Sequence, residues 1–247
     1  MKLTILGSSD AFGAGGRLQT SFHVAHADGE FLIDCGATSL IGLKRQGLDP
    51  NRVSTIFITH LHGDHFSGLV WWLIHALHVV KRREPLVIAG PQGVAERFRV
   101  TAEALFPGCT ETPRKFDLSF VEFVERAPLE IGSVRVIPFE VRHPSGAPPY
   151  ALRFELEGKT LAFSGDTEWV ESLIDAANGA DLFISECFAF DREVRYHLSW
   201  QTIEKNLDRL GARRMLLTHM GEAMLANRGA VNHPRVGLAE DGLVVEL

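Results

Sequence analysis

Short apolar runs recur along the whole chain, and most have the composition of strands rather than helices. Residues 2–6, 21–25 and 30–34 read as three strands, followed by a short helix from Ala37. Residues 53–59 form a near-continuous run of β-branched and aromatic side chains, the pattern of a buried strand. That run leads straight into a histidine-rich loop. A helix is predicted from near Asp64 through Trp71, Trp72 and Leu77. Residues 86–89 read as a strand that Gly90-Pro91 breaks, and a helix runs from there to about Phe106. The centre is β-rich, with strands over 118–124, 134–141, 150–157 and 160–164, the last two joined by a hairpin turn at Gly158-Lys159. A helix over 168–177, a strand over 181–185, a helix from about Ser199 to Leu210, a strand over 215–218 and a last strand over 243–247 complete the pattern. This alternation predicts an α/β (α+β) chain in which two sheets are covered by helices. No linker, low-complexity segment or repeat divides residues 1–247, so a single domain is expected.

Composition changes this picture little. With 45% hydrophobic and 23% charged residues, the chain is an ordinary globular one. Its net charge of −6 does not favour a long polyanion as partner, although a local basic patch could still hold a phosphate. Cys35, Cys109 and Cys187 make an odd count without a CxxC pair, which reads as reduced thiols rather than a disulfide framework. The run from Val70 to Val80 is too short to span a bilayer and carries His75 and His78. The first residues read as a strand rather than a signal peptide, and a cytoplasmic location is expected.

The chemistry concentrates in His60-Leu61-His62-Gly63-Asp64-His65. These residues leave the end of an apolar strand, where sites of α/β proteins usually lie. His60 and His62 are two positions apart and project to one side of an extended backbone. Gly63 permits a tight turn, after which Asp64 and His65 fall in the first turn of a helix and can be aimed at a second point. Four ligand-type residues within six positions can thus feed two adjacent metals. Imidazole with carboxylate suits Zn²⁺ and is compatible with Mn²⁺ or iron. A lone HxH would be as easily a polar loop. Three further ligand types follow predicted strands: His143 after 134–141, Asp166 in Ser164-Gly165-Asp166-Thr167, and His219 in Leu217-Thr218-His219. Each alone is more easily a loop residue, but their joint placement points to a metal centre.

These motifs, together with Leu32-Ile33-Asp34-Cys35-Gly36, resemble the metallo-β-lactamase superfamily over nearly the whole chain. The resemblance implies an αββα four-layer sandwich and a metal-dependent hydrolase with two divalent ions. It implies that His60, His62 and His143 bind one ion, that Asp64, His65 and His219 bind the other, and that Asp166 bridges them beside a bridging hydroxide. Asp34 is implied to be a buried supporting carboxylate and not a ligand. The absence of a cysteine at the Asp166 position departs from lactam-hydrolysing members, and HxHxDH departs from the HxExD of oxygen-reducing di-iron relatives. Both departures favour hydrolysis of esters, phosphodiesters or thioesters.

A narrower resemblance lies in Asp181-Leu182-Phe183-Ile184-Ser185-Glu186-Cys187-Phe188 followed by His197-Leu198-Ser199, which is similar to the ribonuclease Z group and its phosphodiesterase relatives. It implies that Glu186 and His197 serve the scissile phosphate, His197 as acid or charge partner, so that Asp64, Asp166, His197 and Glu186 are the candidate catalytic residues. The plainer alternative for His197 is a surface residue before a helix cap, since Ser199 is a good N-cap, and the functional reading is preferred. Only residues 144–165 separate His143 from Asp166, leaving no room for the tRNA-binding arm of that group, and Met220-Gly221-Glu222 replaces its Ser-Arg-Tyr-like segment. A small phosphodiester is therefore expected as substrate, rather than tRNA, with a carboxylic ester, lactone or thioester as the alternative. A non-catalytic binding protein that keeps the fold is a further alternative. The sequence leaves a homodimer open and calls for no membrane partner. His75 and His78 read as packing or interface residues, Lys81-Arg82-Arg83 as a solvated helix end, and Gly13-Ala14-Gly15-Gly16-Arg17 as a mobile loop near the site. His23, His26 and His233 show no partner pattern.

Overall fold

The structure, a computed structural model, describes residues 1–247. Its strands are β1 (Lys2–Gly7), β2 (Ser21–His26), β3 (Gly29–Ile33), β4 (Val53–Phe57), β5 (Leu86–Gly90), β6 (Leu118–Glu122), β7 (Leu129–Ile131), β8 (Val134–Glu140), β9 (Tyr150–Leu156), β10 (Lys159–Phe163), β11 (Leu182–Glu186), β12 (Met215–Thr218), β13 (Val236–Leu238) and β14 (Val244–Glu246). The helices are α1 (Ser39–Arg45), α2 (Gly63–Phe66), α3 (Gly68–Ile74), α4 (Val94–Leu105), α5 (Ser172–Ala177), α6 (Trp200–Leu210) and α7 (Glu222–Ala226). The strands form two seven-stranded mixed sheets, ordered β14-β1-β2-β3-β4-β5-β6 and β13-β12-β11-β10-β9-β8-β7.

Apolar side chains from both sheets meet in a central layer. Phe31 stacks on Phe154 at 5.4 Å, Phe57 meets Phe154 edge-on at 5.1 Å, and Phe22 meets Phe163 edge-on at 5.0 Å. The outer face of the first sheet packs on α1, α3 and α4 through Leu43, Leu69, Trp72 and Phe98. The outer face of the second packs on α5, α6 and α7 through Leu173, Ile203, Leu207 and Met224. This gives the αββα sandwich of the metallo-β-lactamase fold, as the resemblance implied.

The parallel strands β3 to β6 and β10 to β13 expose their C-terminal ends on one edge of the sandwich. Two glycines let the loops at that edge pack closely. A Cβ on Gly36 would lie 1.9 Å from the Asp64 carbonyl oxygen, and one on Gly68 would lie 2.0 Å from the Gly36 carbonyl oxygen. The segment after β3 is thus pressed against the turn that carries Asp64.

Several elements differ from expectation. The predicted helix over 64–77 is split into α2 and α3 and ends in a wide π-turn over His75–Val79. The hairpin turn is Glu157-Gly158, both with positive φ, while Lys159 already belongs to β10. The predicted helix from 168 begins only at Ser172. The short elements β7, β13 and α7 were not anticipated, because segments of three to five residues carry too little periodicity to register. Arg82 is not a solvated helix end. It is buried at 2% exposure and donates to the carbonyls of Pro50, Asn51, Val53, Glu84 and Pro85. His23 is buried against Glu30, with Nε2 2.9 Å from the carboxylate. All three cysteines are free and buried.

Candidate metal centre

Asp34 sits at the end of β3 with positive φ and is fully buried. Burial pushes its carboxyl up, while His65 and Thr59 oppose this by hydrogen bonding to it. It accepts from Thr59 N at 2.8 Å, from Thr59 Oγ1 at 2.9 Å and from His65 Nδ1 at 2.7 Å. Asp34 therefore holds the root of the histidine motif through Thr59 and His65.

Hydrogen-bond partners fix the tautomers of four histidines. His65 donates through Nδ1 to Asp34, which leaves Nε2 as a lone pair. The single proton of Thr59 Oγ1 goes to Asp34, so the hydroxyl can only accept from His60 Nδ1 at 3.0 Å, and His60 Nε2 is left free. His143 donates through Nδ1 to the Tyr196 carbonyl at 2.9 Å, again leaving Nε2 free. His62 donates through Nε2 to the Pro144 carbonyl at 3.0 Å, which leaves Nδ1 free. Yet His62 Nδ1 and His143 Nε2 face each other at 2.9 Å. Two lone pairs at that distance repel unless a proton or a metal ion stands between them.

A second focus lies on Asp166 Oδ2, which is 3.2 Å from His219 Nε2, 3.3 Å from His65 Nε2, 3.8 Å from His60 Nε2 and 3.9 Å from His143 Nε2. Asp64 Oδ2 lies 3.2 Å from His65 Nε2 and 3.4 Å from His219 Nε2. The ligating atoms gather into His60/His62/His143 and Asp64/His65/Asp166/His219. His60 Nε2, His65 Nε2 and Asp166 Oδ1 are buried and without a hydrogen-bond partner, which fits a site built for cations. Burial works against a charged His219, but Asp166, Asp64 and Glu186 carry it up to about 9. Burial draws His143 down to about 4, against the pull of Asp166. The local field thus demands positive charge at the Asp64/Asp166 side.

Two of the ligand-bearing turns use left-handed backbone, with φ of 59° at Gly165 and 53° at His219. A histidine in that region is uncommon, and here the turn aims its ring back across the sheet end. Glu186 ends β11 fully buried. It accepts from Thr167 N at 2.7 Å and from His197 Nδ1 at 3.1 Å. Burial raises the Glu186 carboxyl, and its bond to His197 opposes the rise. His197 packs on Phe188 at 4.9 Å and parallel to His219 at 5.6 Å. It also joins His143 and Asp166 in one group with ligating atoms within 4.8 Å of one another. Ser199 does cap α6 by accepting from Thr202 N, so the capping role and the placement of His197 coexist.

Every sequence-predicted site residue therefore meets at one strand-end edge. His75 and His78 stand apart from it on the π-turn. Tyr196 escaped the sequence reading, and Phe188 entered it only as part of a motif, without a role. Tyr196 acts through its carbonyl, which no side-chain pattern reveals, although its positive φ of 68° shows a constrained turn. A cleft of about 500 Å³ opens beside His197 between Glu168, Trp169, Arg195 and Thr202. A larger one of about 700 Å³ lies at the opposite strand ends, around Arg52 and Ile131, and brings no ligating cluster together.

Comparison with known proteins agrees with this architecture. Ribonuclease Z of Methanothermobacter thermautotrophicus is 27% identical over 100% of this chain and 97% of its own length. The metallo-beta-lactamase fold protein YhfI from Bacillus subtilis superposes with a TM-score of 0.81 at 22% identity, covering 99% of this chain and 98% of that one. Human tRNase Z, short form (ELAC1), superposes with a TM-score of 0.79 at 24% identity, covering 100% and 99%. The chain is a metallo-hydrolase of the metallo-β-lactamase fold, on the ribonuclease Z and phosphodiesterase-like branch. Within that class it belongs to the family described as anti-Pycsar protein Apyc1, whose model matches residues 1–244. The expectation that tRNA is not a partner gains no support from relatives that are named ribonuclease Z. No helix is long and apolar enough to cross a membrane.

Proposed function

We propose that residues 1–247 act as one cytoplasmic hydrolase domain that cleaves a small phosphodiester with two divalent ions, zinc foremost. The convergence of imidazole nitrogens and carboxylate oxygens into two adjacent groups, with His62 Nδ1 and His143 Nε2 turned toward each other at 2.9 Å, carries this reading. His60, His62 and His143 would hold one ion, Asp64, His65 and His219 the other, and Asp166 would be shared, since one carboxylate has two oxygens and a histidine only one free nitrogen. Ions so held supply Lewis-acid polarisation of a phosphate and an activated water near neutral pH.

The protein's own groups do the rest. Asp34, Thr59 and the Tyr196 carbonyl hold the rings of His65, His60 and His143 in the tautomers that direct Nε2 inward. Glu186 fixes His197 through Nδ1, which leaves Nε2 to offer a proton to the departing alcohol. An alkoxide leaving phosphorus needs that proton or a charge partner, whereas a lactone or thioester needs it less. The small substrate size rests on the segment between His143 and Asp166. It is occupied by β9 and β10 and their connections, with no arm projecting from it.

The reading is tested with bis(p-nitrophenyl) phosphate, cyclic nucleotides, tRNA precursor, p-nitrophenyl acetate, lactones and glutathione thioesters, using wild type and His197→Ala. Phosphodiesters should be cleaved fastest. His197→Ala should lower kcat on them by about 100-fold or more, the usual scale of general acid catalysis. Faster cleavage of esters or lactones, unaffected by His197→Ala, would replace the phosphodiester reading with a carboxylic ester one.

A further inference from the structure

Two residues past Asp166, Glu168 lines the cleft beside His197 and belongs to neither group of ligating atoms. Its two carboxylate oxygens hold different segments. Oε1 accepts from Arg142 Nη1 at 3.0 Å, and Oε2 accepts from Tyr196 N at 3.2 Å. Both donors adjoin site residues. Arg142 precedes His143 in the chain, and Tyr196 precedes His197. Tyr196 also offers its carbonyl to His143 Nδ1 at 2.9 Å. One carboxylate therefore spans the segment after β8 and the turn between β11 and α6.

The two ends of this span carry unequal weight. The Arg142 side is already held by the backbone, since Arg142 N donates to Thr167 Oγ1 at 3.1 Å and Glu168 N donates to the Arg142 carbonyl at 3.3 Å. The Arg142 side chain is 68% exposed, and exposed ion pairs contribute little. The Tyr196 end differs. Its turn is closed from within, by His197 N donating to the Val194 carbonyl at 3.0 Å. Tyr196 itself has φ of 68°, a left-handed conformation that a residue with a Cβ keeps only where its surroundings hold it. Glu168 fixes its N–H and His143 fixes its carbonyl, so the residue is gripped at both ends. Without Glu168, the turn is free to relax toward negative φ. That rotation swings the carbonyl away from His143 Nδ1, and with it goes the constraint that points Nε2 inward.

We infer that Glu168 is a positioning residue of the metal centre, which holds the Tyr196 turn by its N–H so that the Tyr196 carbonyl orients His143 as a ligand. The inference rests on the reading of His143 as a metal ligand. Glu168 acts through a neutral acceptor function, a carboxylate oxygen on a backbone N–H, so an amide oxygen at the same place does the same work.

Zinc affinity, measured by competition with a chromophoric chelator, tests this without turnover. Glu168→Ala should bind its weaker Zn²⁺ ion about tenfold or more less tightly than wild type, the scale on which partners behind ligating histidines act. Glu168→Gln should stay within about threefold of wild type, because its amide oxygen still accepts from Tyr196 N. Glu168→Met keeps the length of the side chain without the acceptor and should behave as Glu168→Ala, which secures the reading if the alanine variant does not fold. A merely structural role would lower the thermal midpoint of the metal-free variants and leave zinc affinity unmoved. Unchanged affinity in Glu168→Ala and Glu168→Met, or an equal loss in Glu168→Gln, overturns the inference. Turnover of bis(p-nitrophenyl) phosphate by wild type, run alongside, separates the two readings. Diester cleavage with unmoved zinc affinity in the variants sinks the role of Glu168 alone. Affinity lost in Glu168→Ala and kept in Glu168→Gln, with no diester cleaved, sinks the phosphodiester reading alone. A wild type that binds no zinc sinks both.

Discussion

Asp166 is the residue on which most of the site's electrostatics converge. Burial alone would raise its carboxyl, but the surrounding His219, His65 and His60 hold it well below the usual carboxylate range. One oxygen reaches four histidines, and the other is buried without a partner. Asp166→Ala should therefore abolish hydrolysis while the circular dichroism spectrum and unfolding cooperativity stay native. Activity within about tenfold of wild type, ~1.4 kcal/mol in barrier, would refute the shared-ligand role. The residue scale is also where the sequence was most informative. HxHxDH is a local motif, so its four ligand types can be read without knowing the fold. The Glu186–His197 pair was legible only through resemblance, because a separation of eleven positions along the chain says nothing about distance in space.

At the scale of elements, the site depends on strand ends being held in register. Arg82 shows how this is done far from the chemistry. It stands after the π-turn and gathers carbonyls from the turn before β4, from Val53 in β4 and from Pro85 before β5. It thereby clamps the starts of two strands, one of which delivers His60 and His62 at its other end. A run of three basic residues in sequence reads as a solvated end, and only the fold showed that the middle one is buried. Arg82→Ala would strand several buried carbonyls and open a cavity. It should lower the unfolding free energy by about 3 kcal/mol in urea denaturation. A loss below about 0.5 kcal/mol would mean that water replaces the guanidinium at no cost.

At the scale of the whole molecule, the ligands come from both sheets. His60, His62, Asp64 and His65 follow β4 of the first sheet, whereas His143, Asp166 and His219 follow β8, β10 and β12 of the second. An ion bound between them binds only the assembled sandwich, so it stabilises the folded state by mass action. Chelation should lower the thermal midpoint by about 5 °C or more, and added Zn²⁺ should restore it. The same midpoint with and without chelator, in protein shown to have carried metal, would mean that the two halves are held by apolar packing alone.

What the sequence determined by itself was the local content. It determined the strand runs of β-branched residues, the cap at Ser199, the six-residue metal motif and the ligand types placed just past strand ends, because period and side-chain chemistry are properties of neighbouring residues. Resemblance added the sandwich and the partition of ligands. The tertiary structure decided what depends on distance across the sheets: which nitrogen of each histidine is free, the Tyr196 carbonyl behind His143, the burial of Arg82, and the anchoring of the glycine-rich loop to Glu222 and Asp241. These contacts join residues from different strands and loops, and their geometry is set by the packing of the two sheets, which no local pattern encodes.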